Sequence, residues 1–217
     1  MEENISFTKY CCSIGVLLLA LLCNNITHAQ NTDIDWLRSI NSHRTASRDG
    51  IMIGVTNSAY VVSSALPLAQ LIYGYAKNEK KSIRDGLQTI EGLAVNTILT
   101  FGLKYAVDRP RPYATYTGLN PYLHDTDPSF PSGHTSFAFS TATTLSLEYG
   151  KWYVVVPAYL WAGTVGFSRM YLGMHYPSDV LAGAVVGAGS SWLSYKAQSW
   201  LDKRFNKKEK QHSPVSN

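Results

Sequence analysis

The sequence predicts an all-α, membrane-embedded bundle of five or six helices, on three observations. The first is composition: of 217 residues 45% are hydrophobic and only 16% charged, against roughly 25% charged in an ordinary soluble domain. The second is a run of 25 residues from Ile51 to Tyr75 without a charge, long enough to cross a hydrocarbon core. The third is the placement of lysine and arginine between the apolar segments. A mean hydropathy of −0.09 leaves a soluble all-helical domain with a well-buried core as the competing reading.

Taken in order, the chain opens on Lys9, an apolar run from Cys11 to Cys23, and Thr27-His28-Ala29 before Gln30. That is the layout of an export signal with a small-residue cleavage site, so residues 1–29 read as a signal peptide or, if retained, an anchor. All three cysteines fall in this segment, so no disulfide is expected beyond it. Residues 30–50 carry Trp36, Leu37 and Ile40 at helical spacing and read as a short amphipathic helix lying on a surface. The main domain spans residues 51–200. After Ile51–Tyr75 come a basic turn at 77–84 and a second apolar segment, Gly86–Leu103, in which Glu91 is placed toward a polar bundle interior. Residues 105–132 form a long loop rich in Pro, Tyr and Asp. Three further apolar helices follow, Ser136–Leu147, Trp152–Phe167 and Val180–Leu193. They are shorter than the roughly 20 residues of a full span, yet rich in the small residues that let membrane helices pack closely. Residues 201–217 read as a basic cytoplasmic tail without fixed structure.

Suppose all five segments cross and Gln30 starts outside. Eleven lysines and arginines then lie inside and seven outside, in keeping with the positive-inside bias.

Three clusters share the outer face in this topology. Lys104 and the pair Arg111-Pro112 are separated by six residues. Pro131-Ser132-Gly133-His134 follows. Ser168-Arg169 is then trailed by His175 and, four residues on, Asp179. Each alone is modest evidence; their order and spacing together are not coincidental. They resemble the signature of the type-2 phosphatidic acid phosphatase superfamily, which includes class A acid phosphatases and vanadium haloperoxidases. The stretch Tyr171-Leu-Gly-Met-His175-Tyr-Pro-Ser-Asp179 looks like the membrane lipid phosphatase branch.

The resemblance implies a phosphatase whose site lies at the outer rim of the bundle. His175 would attack phosphorus and form a phosphohistidine, with Asp179 accepting the other ring N–H. His134 would protonate the leaving oxygen and then activate water. Lys104, Arg111, Ser132, Gly133 and Arg169 would hold the phosphate. The chemistry agrees: a phosphomonoester carries nearly two charges and three acceptor oxygens, which cationic forks and helix N-terminal N–H groups match. If residues 175–179 form a helical turn, His175 and Asp179 share a face.

Other residues rate lower. Arg109 is expected to assist phosphate or to pair with Asp108. His124, Asp125 and Asp127 read as a solvated loop at the entrance rather than metal ligands. Tyr113, Tyr116 and Tyr122 would line a headgroup pocket or lie in the interfacial belt. No metal and no cofactor are expected. The expected partners are a lipid phosphate and the membrane, with no nucleic acid. The substrate is a lipid monoester or diphosphate at the periplasmic face of a bacterial inner membrane. Lipid A phosphate leads, with undecaprenyl diphosphate and phosphatidylglycerol phosphate as alternatives. A soluble periplasmic acid phosphatase is the rival enzyme.

Overall fold

The structure is a computed structural model and describes residues 26–212; the signal-peptide reading falls almost wholly outside them. The described chain is helical, with no strand among the described residues. In order the helices are α1 (Ile26–Asn41), α2 (Ala46–Lys77), α3 (Lys80–Val107), the single turn α4 (Pro112–Thr115), α5 (Gly133–Tyr149), α6 (Trp152–Tyr171) and α7 (Pro177–His212). Each of the five apolar segments between Ile51 and Leu193 lies within a longer helix. The helices end where the backbone turns left-handed, at Asn78, Asp108 and Gly150, residue types that tolerate positive φ.

Three expectations change. α7 runs through Lys203 to His212 where an unstructured tail was expected. Glu91 is exposed rather than turned inward, because the inward face of α3 is set by Gln88, Thr89, Gly92, Asn96 and Thr100. α1 does not merely lie on a surface: Ile34 and Leu37 are buried against Tyr176, with Tyr116, Leu119 and Met170 packed around them, while Trp36 remains exposed.

α5 is the central helix and carries few large side chains on its buried faces. Ser136, Ala138, Ser140, Thr141, Ala142 and Thr144 are all buried. The closest approach is to α7. A Cβ on Gly187 would meet the Ser136 carbonyl oxygen at 2.1 Å, and one on Gly183 the Ser132 carbonyl oxygen at 2.6 Å. Only glycine allows this contact, which sets the start of α5 beside the start of α7.

Polarity runs inside out. Hydroxyls and amides line the interior: Ser63 pairs with Thr141 at 2.7 Å, Thr100 with Ser136 at 2.8 Å and Ser140 with Ser191 at 2.7 Å. The outside carries Ile51, Val61, Leu68, Ile72, Ile98, Phe101, Leu160, Leu181 and Val185, all exposed. An apolar belt of that extent is an interaction surface, not a solvated one, and small polar residues between helices suit packing in lipid. By length and composition, one described helix, α2, is apolar enough to cross a membrane.

Candidate active site

The ends of α3, α5, α6 and α7 and the loop 108–132 meet at one rim of the bundle. α5 begins at Gly133 with Ser132 as its N-cap, so the expectation that a turn opens into a helix at Ser132-Gly133 matches the structure. α7 begins with Pro177 at its first position, where a missing N–H costs nothing. Asp179 lies two residues further, and its Oδ2 accepts from the Tyr176 N–H at 3.0 Å. This is the reach-back of a capping box. His175 therefore lies in the turn before the helix, not inside its first turn. The two side chains meet because Asp179 folds back over the helix start.

His175 is 1% exposed. Its Nδ1 faces Asp179 Oδ2 at 3.6 Å, beyond a direct hydrogen bond. Ser129 stands between them, with Oγ 3.4 Å from Nδ1 and donating to Asp179 Oδ2 at 2.5 Å. The bond expected to run from the ring to Asp179 is thus shared with a serine. The Nε2 side faces Arg111, whose Nη1 lies 3.4 Å away. Burial above all, and then the Arg169, Arg111 and Lys104 cations, holds the imidazole well below its ordinary pKa. The ring is neutral at physiological pH, with a lone pair for a nucleophile's work.

A pocket of about 200 Å³ opens before it, lined by Tyr60, Phe101, Lys104, Arg111, Asp125, Asp127, Gly133, His134, Phe137 and His175. Lys104 and Arg111 are 3% and 5% exposed. Lys104 Nζ pairs with Asp127 Oδ2 at 2.8 Å, and Arg111 Nη2 with Asp127 Oδ1 at 2.6 Å and Asp125 Oδ2 at 3.3 Å. Partial burial works to raise the Asp127 pKa. Even so, the Lys104 hydrogen bond and the Arg111 charge hold it at about 2. Arg169 bonds Thr56 at 3.0 Å and lies 3.7 Å from Asp125, while its Nε is a buried donor without a partner. A buried orphan donor beside two further cations fits a phosphate oxygen. The Ser132 N–H donates to the Asp179 carbonyl at 3.0 Å, tying the two helix starts together. His134 packs against Tyr60 with the rings tilted 58° and their centres 4.4 Å apart.

The residues expected from the three clusters thus converge on one rim. Others land elsewhere than expected. Arg109 does not pair with Asp108, which ends α3. It reaches Asp179 Oδ1 at 2.7 Å and Asp33 Oδ2 at 2.8 Å. His124 meets Tyr113 edge-on, and Asp125 and Asp127 pair with the Lys104, Arg111 and Arg169 cations. Among the described residues no group of three or more His, Cys, Asp or Glu side chains could hold a metal ion. Tyr113 donates to the Asp125 carbonyl at 3.0 Å. Tyr116 meets Tyr176 edge-on, and Tyr122 packs against Tyr171, Leu172 and Met174. These three build the loop as much as they line it. Sequence reasoning missed Ser129, Asp33, Tyr60 and Thr56. Ser129 had a signal, three residues before Ser132 in the same run.

Comparison with known proteins identifies relatives of the chain. A family model described as the PAP2 superfamily matches residues 85–203. The chain is 32% identical over 160 residues to the undecaprenyl-diphosphatase BcrC of Bacillus subtilis, covering 74% of this chain and 80% of that protein. It is 36% identical over 141 residues to a lipid A 1-phosphatase of Porphyromonas gingivalis, covering 62% of this chain and 29% of that protein. Its fold matches the crystal structure of a transmembrane PAP2-type phosphatidylglycerolphosphate phosphatase from Bacillus subtilis. The TM-score is 0.65 at 24% identity, over 94% of this chain and 98% of that one.

Proposed function

The chain belongs to the PAP2 superfamily, and from that premise we propose that it hydrolyses a membrane lipid phosphate through a phosphohistidine on His175. The site would face the periplasm across a bacterial inner membrane. One observation carries the lipid reading. The pocket that holds Lys104, Arg111, His134 and His175 is walled by Tyr60 and Phe101, which are 42% and 44% exposed on the apolar outer belt. A phosphate can sit among the cations while its hydrocarbon stays in the lipid.

In this mechanism the phosphate displaces Asp125 and Asp127 from the cations and binds Lys104, Arg111 and the free Nε of Arg169. His175 Nε2 attacks phosphorus; the N–P bond forms as the bond to the leaving oxygen breaks. Burial, and then the Arg169 charge, push the His134 pKa down to about 2; the negative charge of a bound phosphate beside it must lift that value. His134 so protonated gives the leaving oxygen its proton and then takes one from water. The hydroxide attacks phosphorus, the P–N bond breaks, and inorganic phosphate leaves with His175 neutral again. Asp179 and Ser129, on the Nδ1 side, support the positive charge the ring gathers. The cations stabilise charge on the phosphoryl oxygens, the role a metal takes elsewhere.

Within lipid phosphates we carry two substrates forward. Lipid A phosphate is favoured by the long aromatic loop over the site, which suits a bulky headgroup. A second groove of about 430 Å³, lined by Tyr105, Arg109, Tyr113, Asp125 and Asp127 among others, adjoins the pocket. Undecaprenyl diphosphate is favoured by the relative that matches most of its own length. Phosphate release is to be measured in detergent, with excess EDTA, against lipid A, undecaprenyl diphosphate, phosphatidylglycerol phosphate and a soluble aryl phosphate. Preference for one lipid supports the reading. Faster turnover of the soluble ester than of every lipid would turn it toward a non-specific acid phosphatase.

A further inference from the structure

We propose that Asp33 on α1, outside the segment the family model matches, is a positioning residue for the His175 nucleophile, acting through Arg109 on Asp179. The proposal rests on the reading of His175 as the nucleophile. Asp33 is 8% exposed, and a buried carboxylate is costly unless it is paired and bonded. Its partners all belong to the site. Oδ1 accepts from the Ser178 N–H at 2.9 Å, capping the start of α7 from another helix. Oδ2 accepts from the Ser178 hydroxyl and from Arg109 Nη2, the latter at 2.8 Å. The other arm of Arg109 donates to Asp179 Oδ1 and to Ser178 Oγ, both at 2.7 Å. Its guanidinium also lies 3.8 Å over the ring of Tyr176. Arg109 is held on both arms and one face, and one of those holds is Asp33.

The consequence reaches His175 through Asp179. That carboxylate already receives Ser129 and the Tyr176 N–H on Oδ2, and faces His175 Nδ1 from the same oxygen. With Asp33 present, the Arg109 charge is divided between two carboxylates. Without it, the guanidinium pulls on Asp179 alone. Less negative charge and a less fixed orientation then remain for the imidazole that must become cationic as it attacks. A second observation points the same way. Asn41, two turns along the same face of α1, donates to the Tyr171 carbonyl at 3.0 Å, and Ile34 and Leu37 fill the space between. The face Asp33–Ile34–Leu37–Asn41 thus grips the turn 171–178 at both ends, but only Asp33 touches it through charge.

The test uses the full chain and, radiolabelled at phosphorus, the lipid phosphate of the panel above that turns over fastest, in detergent micelles, quenched within single turnovers so that labelled phosphohistidine is counted. Asp33→Asn keeps an oxygen for the Ser178 N–H but puts an NH2 donor where Oδ2 accepts from Ser178 and Arg109, so it removes the charge together with the hold on Arg109. Leu37→Ala loosens α1 without touching the network. We expect Asp33→Asn to lower the rate constant of phosphorylation about tenfold, the scale of coupling between linked polar groups. KM and the amplitude should stay near wild type. Leu37→Ala should lower the amplitude, as the active fraction falls, and leave the rate constant unchanged. Partial unfolding of either variant reports in the amplitude and so does not mask the rate. A wild-type rate constant in Asp33→Asn, or an equal fall in both variants, overturns the proposal. Absence of phosphohistidine in the wild type would instead sink the proposed mechanism.

Discussion

The two sides of the His175 ring are built differently. On the Nδ1 side every group is held by another part of the fold. Asp179 is 0% exposed, bound by Ser129, Tyr176 and Arg109, and Arg109 is bound in turn by Asp33. On the Nε2 side the cations are as deeply buried, but their charged partners are Asp125 and Asp127, whose side chains are 33% and 36% exposed on a loop. One side is permanent scaffold. The other is a set of charges whose present partners are replaceable by a substrate that offers more acceptors. The comparison says which substitutions should disturb chemistry and which should disturb occupancy.

The largest effect tests the ring itself. His175→Ala should remove labelled phosphoenzyme altogether and lower turnover by on the order of 10⁴ or more, as loss of a nucleophile does. Retention of the wild-type rate would end the distinction between the two sides. Next comes His134, across the pocket. If it protonates the leaving oxygen, His134→Ala should slow formation of the phosphohistidine from a lipid substrate by about 10³-fold, within the usual reach of general acid catalysis. An activated aryl phosphate, whose leaving group needs no proton, should be slowed far less. Equal losses on both substrates would assign His134 to binding.

Arg169→Lys sharpens the cradle side. It keeps a positive charge but loses the fork that bonds Thr56 and leaves Nε free for the phosphate. We expect kcat/KM to fall by about 10²-fold, the cost of one transition-state donor, with the melting temperature little changed. A fall in stability without a fall in kcat/KM would make Arg169 part of the scaffold instead.

How much of this was legible in the sequence follows the same division. The five long helices of the main domain were readable because each carries an apolar run, broken by charge only at Glu91 in α3, and the cradle because Lys104, Arg111, Arg169, His134 and His175 are chemically conspicuous at telling spacings. Helix ends were not, since α7 continues into Lys- and Arg-bearing turns that hydropathy alone reads as tail. The scaffold behind Asp179 was hidden for another reason. Asp33 lies 146 positions before Asp179 in the chain, and a lone aspartate on a polar segment looks like a solvated one. Its inward phase was present in the pattern Asp33, Ile34, Leu37, Asn41, which marks one face of α1. Of the helically spaced Trp36, Leu37 and Ile40, only Trp36 points away from that face, 64% exposed. Adjacency offers Asp108 to Arg109 beside the phosphate role, but Asp108 takes the left-handed backbone that ends α3, and Arg109, in the loop after it, reaches Asp33 and Asp179.

The smallest effect is the most direct test of replaceable charge. Asp127 bridges Lys104 and Arg111, and its pKa of about 2 against an ordinary 3.8 keeps it ionised at any working pH. An incoming phosphate must displace it. Asp127→Asn removes that competitor without stranding the cations, because the backbone carbonyls of Asp127 and Pro128 still accept from Arg111 and Lys104. Inhibition by inorganic phosphate or vanadate should therefore tighten several-fold, up to about tenfold or 1.4 kcal/mol. Stability should move the other way. A carboxyl whose pKa is lowered on folding stabilises the fold above its unfolded value and loses that contribution as pH falls through the folded one. The variant should thus melt slightly below wild type at neutral pH, with the gap closing between about pH 4 and about pH 2. The shift is small because the side chain is partly in solvent. Opposite signs for binding and stability separate a competitor from a phosphate ligand. If Asp127→Asn weakens phosphate inhibition, the loop carboxylate belongs to the substrate's binding site, and both sides of His175 are scaffold.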